Sequence, residues 1–252
     1  MQISAIKTHK ITTKDTDICL VLDRYFGLGS DRRSIPEKSI LAVTSKIVSL
    51  TQGRVMPLTS DKQALIEQES KFFLPRTSSK YDVQFTITNN ILSASAGIDE
   101  SNADNQYVLW PKDPQESANS IREYLVQKFG LKEVGVIITD SKTTPLRWGV
   151  TGISLAHSGF AALKDYIGTE DLFGRKFAYE KLNTADTLAS GAIVVMGEGS
   201  EQTPLALITD VPQVEFQDRN PTQEELQSLV IAPEDDLYAP LLTSVEWKKG
   251  KK

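Results

Sequence analysis

The stretch Val134-Gly135-Val136-Ile137-Ile138-Thr139-Asp140-Ser141 carries most of the information about the fold class of this chain. Its first five residues are almost continuously apolar, which is typical of a strand that other elements cover on both faces. A second apolar run, Ile40-Leu41-Ala42-Val43, predicts another buried strand. The first strand is expected to end in Thr139-Asp140-Ser141, which would place a carboxylate where α/β folds commonly bind ligands.

Helix signals alternate with the predicted strands. Asp113-Pro114-Gln115-Glu116 predicts a helix start, because Asp caps, Pro suits the first helical position and Glu occupies the third. Gly130 predicts the end of this helix. The other predicted helices start at Ser60-Asp61-Lys62-Gln63, read as a capping box with the helix running to about Leu74, at Thr184 as a cap, and at Asn220-Pro221-Thr222-Gln223, the last one running through Leu229.

A hairpin is also predicted. Val83, Phe85 and Ile87 alternate with polar residues, Asn89-Asn90 supplies a turn, and Ile91 restarts the alternation. Because helices, buried strands and a hairpin occur together, the chain is expected to be a mixed α+β or α/β fold and not a plain doubly wound one. Its 252 residues predict one domain over 1–252, or two intimately joined subdomains.

Composition excludes several classes of protein. The formal net charge of −5 argues against a nucleic-acid partner, which needs a basic face. The single cysteine, Cys19, lies in an apolar run and is interpreted as a buried small hydrophobe, not a nucleophile.

No apolar stretch suffices for a membrane span, and Met1 to Lys14 lacks a signal-peptide core, so a cytoplasmic location with no membrane partner is expected. Lys248 to Lys252 is expected to be a frayed end.

Familiar catalytic motifs are absent. There is no Gly-x-x-x-x-Gly-Lys-Ser/Thr loop, no Gly-x-Gly-x-x-Gly and no Gly-x-Ser-x-Gly. The only histidines are His9 and His157, too few to favour a zinc site or a Ser-His-Asp triad. His157, among small residues, is interpreted as a packing residue. Any bound metal is therefore expected to be a hard cation with oxygen ligands.

Candidate oxygen ligands stand at the ends of apolar runs. Asp99 follows Gly97, Asp140 is followed by Ser141, and Glu198 stands between two glycines. Three carboxylates at strand ends with a hydroxyl nearby suit Mg²⁺ or Mn²⁺. The alternative is that these side chains only cap turns and helices.

Basic residues offer candidate anion contacts. Thr44-Ser45-Lys46 could hold phosphate oxygens, although Lys46 could equally be a solvated lysine at a strand edge. Arg147 could clamp a carboxylate or phosphate bidentately, or it could stack on Trp148. Asp171 and Arg175 could form a helical ion pair and no more.

A series of short segments between about Ile40 and Ile208 is specific when taken in order, although each segment alone is weak. The segments are Thr44-Ser45-Lys46-Ile47-Val48-Ser49, Gln52-Gly53-Arg54, Gly97-Ile98-Asp99-Glu100-Ser101-Asn102, Tyr107-Val108-Leu109-Trp110-Pro111, Asp113-Pro114, Ile138-Thr139-Asp140-Ser141, Pro145-Leu146-Arg147-Trp148-Gly149, Asp165-Tyr166-Ile167-Gly168, Asp171-Leu172-Phe173-Gly174-Arg175, Ala185-Asp186-Thr187-Leu188-Ala189 and Met196-Gly197-Glu198. This series resembles the coenzyme F-420:L-glutamate ligases, γ-glutamyl ligases of deazaflavin biosynthesis.

The resemblance implies an amide ligase with GTP as co-substrate, two divalent metals (Mg²⁺ or Mn²⁺) and K⁺ as a further candidate cofactor. The γ-phosphate would activate a small-molecule carboxylate substrate, and the amine of glutamate or another amino acid would displace phosphate. By motif position, Asp99 and Asp140 hold one metal, Ser141 and Glu198 complete a second, and Asn102 with Thr44, Ser45 and Lys46 contacts the nucleotide. Asp99, Asp140 and Arg147 are the candidate catalytic residues. An unusual mixed α+β fold and an intertwined homodimer are implied too.

Two segments depart from the family pattern. The family's Gly-Leu-Pro-Glu-Ile-like loop is replaced near Lys7-Thr8-His9-Lys10-Ile11, and Leu50 stands where a second lysine is usual. Both changes fall in the nucleotide half of the implied site. Two alternatives therefore stay open: an enzyme of the same kind with a different acceptor, and a non-catalytic binding protein that keeps the fold.

Overall fold

The computed structural model describes residues 1–27, 32–76, 80–81 and 83–252. The described strands are β1 (Gln2–Ile6), β2 (Ser39–Thr44), β3 (Val55–Pro57), β4 (Phe72–Phe73), β5 (Phe85–Thr88), β6 (Ile91–Ala94), β7 (Gln106–Val108), β8 (Val134–Thr143), β9 (Val150–Ser158), β10 (Leu163–Asp165), β11 (Lys181–Asn183), β12 (Leu205–Thr209) and β13 (Lys248–Lys249). The described helices are α1 (Ile18–Asp23), α2 (Ser45–Thr51), α3 (Lys62–Glu69), α4 (Pro114–Phe129), α5 (Thr184–Met196), α6 (Gln223–Gln227) and α7 (Ala239–Leu242).

A five-stranded sheet in the order β1-β12-β2-β8-β9 forms the centre of the fold. Strands β2 and β8 pair in parallel, and the other neighbours pair antiparallel. Leu41 and Val43 face the side covered by α1, α2 and α4, while Ile40 and Ala42 face α5. Both faces are therefore covered, which explains the continuous apolar runs and confirms the two predicted buried strands.

A smaller sheet has the order β13-β4-β5-β6, and β3 and β7 form a separate pair of strands. The predicted hairpin is confirmed: β5 and β6 are joined by Asn89 and Asn90, whose φ angles are 51° and 59°. Asparagine tolerates this left-handed region better than most residues, so it suits the turn. Together the sheets and helices make a mixed α+β fold, as predicted.

The predicted boundaries of α4 are confirmed. The Asp113 side chain accepts a hydrogen bond from the Glu116 amide, and Pro114 is the first helical residue. Gly130 ends the helix with a φ of 69°. Local chemistry at both ends was therefore sufficient to place this helix. No helix in the described ranges is both long and apolar enough to cross a membrane.

Other predicted boundaries were wrong. Strand β8 does not end in Thr139-Asp140-Ser141 but continues to Thr143, because β9 pairs alongside it past a register shift at Ile138/Thr139. Helix α3 is capped by Asp61 and not by Ser60, and it ends at Glu69 because Phe72 and Phe73 pair with β5 instead of extending the helix.

Helices α5 and α6 also depart from their predicted ends. Asn183, not Thr184, caps α5 by accepting a hydrogen bond from the Asp186 amide. Helix α6 stops at Gln227, before Leu229, and α7 follows it, so α6 is not the last helix.

Three smaller expectations are also settled. Asp171 and Arg175 lie in a turn and not in a helix. In this turn the Asp171 carboxylate accepts hydrogen bonds from the backbone amides of Phe173 and Arg175. The C-terminal end is not frayed, because β13 pairs with β4 and the Lys252 amide donates to the Ser70 carbonyl. Cys19 is half-buried, and burial raises the pKa of its thiol to about 11, which keeps the thiol protonated at neutral pH.

Candidate functional site

A cavity of about 380 Å³ opens where the β2–α2 junction, the segment before β7, strand β8 and the α5–β12 loop meet. Its volume is within the range of small-molecule sites. The sequence-predicted residues that line it are Thr44, Ser45, Lys46, Asp99, Asn102, Asp140, Ser141 and Glu198. The fold thus brings together carboxylates and a lysine that are far apart in the chain.

Asp99 lies in a short backbone bridge with Val108, just after the 3₁₀ turn Ser95–Gly97. The Lys46 ammonium, on the first turn of α2, is 2.5 Å from Asp99 Oδ2. It also donates to the carbonyl and hydroxyl oxygens of Ser101, at 2.8 and 3.0 Å. Partial burial alone would raise the pKa of Asp99, but Lys46 and the Ser101 donors outweigh burial and hold that pKa below its usual value.

Asp140 lies inside β8, on the neighbouring wall of the cavity. Its Oδ2 accepts a hydrogen bond from the indole Nε1 of Trp110, and its Oδ1 accepts one from the Ser141 amide at 2.8 Å. Burial raises the pKa of Asp140 to about 6 despite these donors and the Ser45 hydroxyl, and the nearby charge of Asp99 adds to the rise. Ionising the Asp140 carboxyl group therefore costs more free energy in the folded protein than it would in water.

Glu198, in the loop after α5, completes the acidic set. It was expected to follow a strand, but it follows helix α5, which ends at Gly197 with a φ of 78°. Burial raises the pKa of Glu198, and Asp99 and Glu201 add to the rise, while the Ser141 hydroxyl and Lys46 oppose it. Ser141 thus links Glu198 to the Asp140 strand.

Asn102 ties two walls of the cavity together. Its side-chain amide donates to the Gly199 carbonyl at 3.0 Å, and its backbone φ is 52°.

Thr44 caps α2 with extended backbone geometry, so Ser45 and Lys46 occupy the first turn of that helix. The segment Thr44-Ser45-Lys46 therefore presents a hydroxyl, an ammonium and backbone amides to the same space as the carboxylates.

The donor chemistry fits a hard divalent cation. Three carboxylates and a hydroxyl supply oxygen ligands of the kind that Mg²⁺ and Mn²⁺ take. Mutual repulsion contributes to the raised pKa values of Asp140 and Glu198, and a cation would relieve it. Within the described ranges, no three His, Cys, Asp or Glu side chains are already grouped closely enough to hold an ion, and the Lys46 ammonium is the present counter-ion of Asp99.

Arg147 does not join this group in the structure. It lies in the turn between β8 and β9, is exposed, and is not among the residues lining the cavity. Its neighbour Trp148 is 91% exposed and packs edge-on against Tyr81 at a ring distance of 6.4 Å. His157 is a packing residue as expected: it is buried against Phe160, and burial lowers its pKa to about 4.

Sequence reasoning missed Trp110 and His9 as lining residues. Trp110 is 4% exposed and bonds Asp140, but nothing in its local pattern indicates that partner. The His9 ring lines the cavity and is held by Tyr25 at 2.7 Å and Asp15 at 3.0 Å. For His9, the sequence offered one indication: it lies in the segment Lys7 to Ile11, which departs from the family pattern.

Comparison with known proteins shows the family of this chain. Residues 5–210 match the family model described as F420-0:Gamma-glutamyl ligase. The coenzyme F420:L-glutamate ligase of Methanopyrus kandleri is 31% identical over an alignment of 227 positions that covers 83% of this chain and 88% of that protein. The ligase of the same name from Archaeoglobus fulgidus is 31% identical over 71% of this chain and 78% of its own length. That of Methanocaldococcus jannaschii is 43% identical, over 51% of this chain and 53% of its own.

The matched region contains β2, β8, α5 and every predicted site residue from Thr44 to Glu198. Both the family model and the relative from Methanopyrus kandleri span most of the chain. This chain therefore belongs to the F420-0:gamma-glutamyl ligase family.

Proposed function

We propose that this protein is a nucleotide- and divalent-metal-dependent ligase that joins L-glutamate, or a similar amino acid, to a carboxylate acceptor through an acyl phosphate. The observation that carries the proposal is the convergence of Asp99, Asp140, Ser141 and Glu198 on one cavity that Lys46 also lines. A reaction that moves phosphate charge onto a leaving oxygen needs this combination of cation ligands and a fixed positive charge.

Asp99 and Asp140 would hold one divalent cation, and Ser141 with Glu198 would complete a second. When bound, Mg²⁺ or Mn²⁺ would neutralise charge on the phosphate oxygens. The pKa of Asp140 is raised to about 6, so this carboxylate is still ionised at neutral pH and can serve as a ligand. The Lys46 ammonium lines the same cavity and would pair with phosphate.

The nucleotide would lie against Thr44-Ser45-Lys46 and Asn102, with GTP as the expected co-substrate. Leu50, which stands in the family's usual lysine position, is buried with Ala103 and Val108 and supplies no charge. Its wall of the cavity is therefore apolar and offers no second lysine beside Lys46 for the phosphates. This feature and the changed loop around His9 favour a second candidate: the same reaction with a different carboxylate acceptor.

We also propose that the protein is a homodimer. Several large apolar side chains outside the cavity are almost fully exposed in the single chain, and apolar side chains exposed in groups are typical of a surface that a partner covers. These are Leu146, Trp148, Leu172, Phe173, Tyr179 and Leu237. A second copy of the chain would cover these side chains. Light scattering, which measures the mass of the particle in solution, would distinguish a dimer from a monomer.

A thermal-shift series would test the nucleotide and metal requirements. The protein would be scanned with Mg²⁺ or Mn²⁺, combined with GTP, ATP, GDP or no nucleotide, since a ligand bound only by the folded state raises the melting temperature. A rise that needs the metal and is larger with GTP than with ATP supports the proposal. A response to metal but to no nucleotide would contradict it.

A phosphate-release assay would then separate the two candidates. Release from GTP that requires both glutamate and a deazaflavin acceptor supports the first, and release that requires another carboxylate acceptor supports the second. Asp99→Asn should abolish release. Glu246→Gln, a change at an exposed carboxylate outside both the cavity lining and the matched region, is the control and should leave the rate unchanged.

A further inference from the structure

Trp110 is a buried aromatic residue that contacts both carboxylate-bearing walls of the cavity. We propose that it is a positioning residue that sets the separation and the orientation of the Asp99 and Asp140 carboxylates. This inference rests on the metal site proposed above. Three independent contacts of Trp110 carry it.

The first contact is polar. The indole Nε1–H of Trp110 donates to Asp140 Oδ2, while Oδ1 of the same carboxylate accepts the Ser141 amide at 2.8 Å. An indole has a single donor and no acceptor, so its geometry prescribes one orientation for the bonded oxygen. With a donor on each oxygen, the carboxylate plane is fixed and its remaining lone pairs are directed by the protein.

The second contact is steric. A Cβ built on Gly97 would lie 2.1 Å from Cε2 of the Trp110 ring and 2.2 Å from its Nε1, so the indole rests directly on the Gly97 backbone. Gly97 has a φ of 73° and stands two residues before Asp99. The ring therefore lies between the backbone that carries Asp99 and the side chain of Asp140, as a spacer of constant thickness.

The third contact holds the spacer in place. Arg54 Nε donates to the Trp110 carbonyl at 3.1 Å, and Arg54 Nη2 is 2.6 Å from the carboxylate of Glu69. The Leu109 amide donates to the Arg54 carbonyl at 3.0 Å. The main chain of Trp110 is thus bound to a half-buried ion pair on the side away from the cavity.

Trp110→Phe should free Asp140 Oδ2 to rotate, and it also removes the part of the indole that rests on Gly97. Partners that orient a metal ligand contribute about 10- to 100-fold to metal affinity or activity. Trp110→Phe is therefore expected to weaken Mn²⁺ binding about tenfold or more. Gly97→Ala, which pushes the ring without removing any polar group, should weaken it as well.

The experiment measures Mn²⁺ binding by calorimetry to wild type, Trp110→Phe, Gly97→Ala and Trp247→Phe, together with the melting temperature of each without metal. Trp247 is the matched control, since its Nε1 donates to the Leu242 carbonyl at 2.8 Å and it does not line the cavity. The control should bind Mn²⁺ as wild type does. The electron paramagnetic resonance spectrum of Mn²⁺ bound to Trp110→Phe should differ from that of the wild-type complex, a change that lost packing elsewhere would not produce.

Equal Mn²⁺ affinities and identical spectra for Trp110→Phe and Trp247→Phe would overturn the inference, and a lower melting temperature alone would mark Trp110 as a packing residue only. If Gly97→Ala fails to fold, Trp110→Phe still decides. Wild-type protein that binds no Mn²⁺ would be a different result, because it would overturn the proposed metal site and this inference with it.

Discussion

Replacing Asp140 by Asn should stabilise the metal-free protein near neutral pH while weakening its Mn²⁺ binding. Burial raises the pKa of Asp140 from 3.8 to about 6. Between these values the folded protein binds more protons than the unfolded chain, so the free energy of unfolding falls as pH rises through this window. Above pH 6 the full cost of ionising a buried carboxylate is present.

The size of the effect follows from two opposing terms. A rise of about two pKa units corresponds to about 3 kcal/mol of lost stability. The two donors bond different oxygens of Asp140, and Asn replaces one of these oxygens by an NH₂ group that cannot accept. Either the Trp110 indole or the Ser141 amide therefore loses its acceptor, which costs about 1–2 kcal/mol. We therefore expect Asp140→Asn to gain about 1 kcal/mol at about pH 7.5, and to lose this advantage near pH 5, where the wild-type carboxyl is mostly protonated.

Urea unfolding in the presence of a chelator, at both pH values, would measure this difference. Asp99→Asn is the matched control with the opposite sign: the pKa of Asp99 is lowered by Lys46 and Ser101, so neutralising this carboxylate should destabilise the protein at about pH 7.5. Calorimetry with Mn²⁺ should show weaker binding for both variants. If Asp140→Asn is destabilised as much as Asp99→Asn, with no dependence on pH, the assigned cost of burying Asp140 is refuted.

Three further predictions concern the fold. Gly152→Ala should lose about 2 kcal/mol of stability in urea, because its Cβ would lie 2.4 Å from the backbone of α5. Gly191→Ala should lose much less, because its Cβ would meet only the end of an isoleucine side chain. Equal losses for the two variants would contradict the steric argument. His157→Gln should flatten the fall in stability between pH 6.5 and about 4, since only the unfolded wild-type histidine takes up a proton in that window; an unchanged slope of stability against pH would exclude this role. Asp113→Ala should cost about 1 kcal/mol through loss of the α4 cap, and a urea midpoint identical to wild type would show that the cap is dispensable.

Local chemistry allowed the sequence to predict much of the fold. The α4 boundaries follow from Asp113 and Gly130, whose side-chain and backbone properties act within one turn. The Asn89-Asn90 turn and the buried run Val134 to Ile138 are local in the same sense, since patterning alone reveals them. The wrong boundaries have a physical reason as well. Helix α3 ends earlier than predicted because Phe72 pairs with Ile87 of β5, and the sequence of the helix alone does not indicate this distant partner.

The candidate site was only partly predictable, for a related reason. Asp99, Asp140 and Glu198 could be named as acidic residues beside apolar runs, and the family resemblance placed them in one site. The geometry that matters was not readable: Asp140 lies inside a strand, and Glu198 follows a helix. Arg147, chosen from the same motifs, lies in an exposed turn away from the cavity lining.

The sequence by itself determined the fold class, the covered central strands and the acidic, oxygen-rich character of the site, because these depend on residue type and spacing along the chain. Only the tertiary structure decided that the Lys46 ammonium pairs with Asp99, that Ser141 joins Glu198, and that the Trp110 indole lies between Gly97 and Asp140. These contacts join segments that are distant in sequence. Their distances depend on how the two sheets and helix α5 pack against one another, and no local pattern encodes that packing.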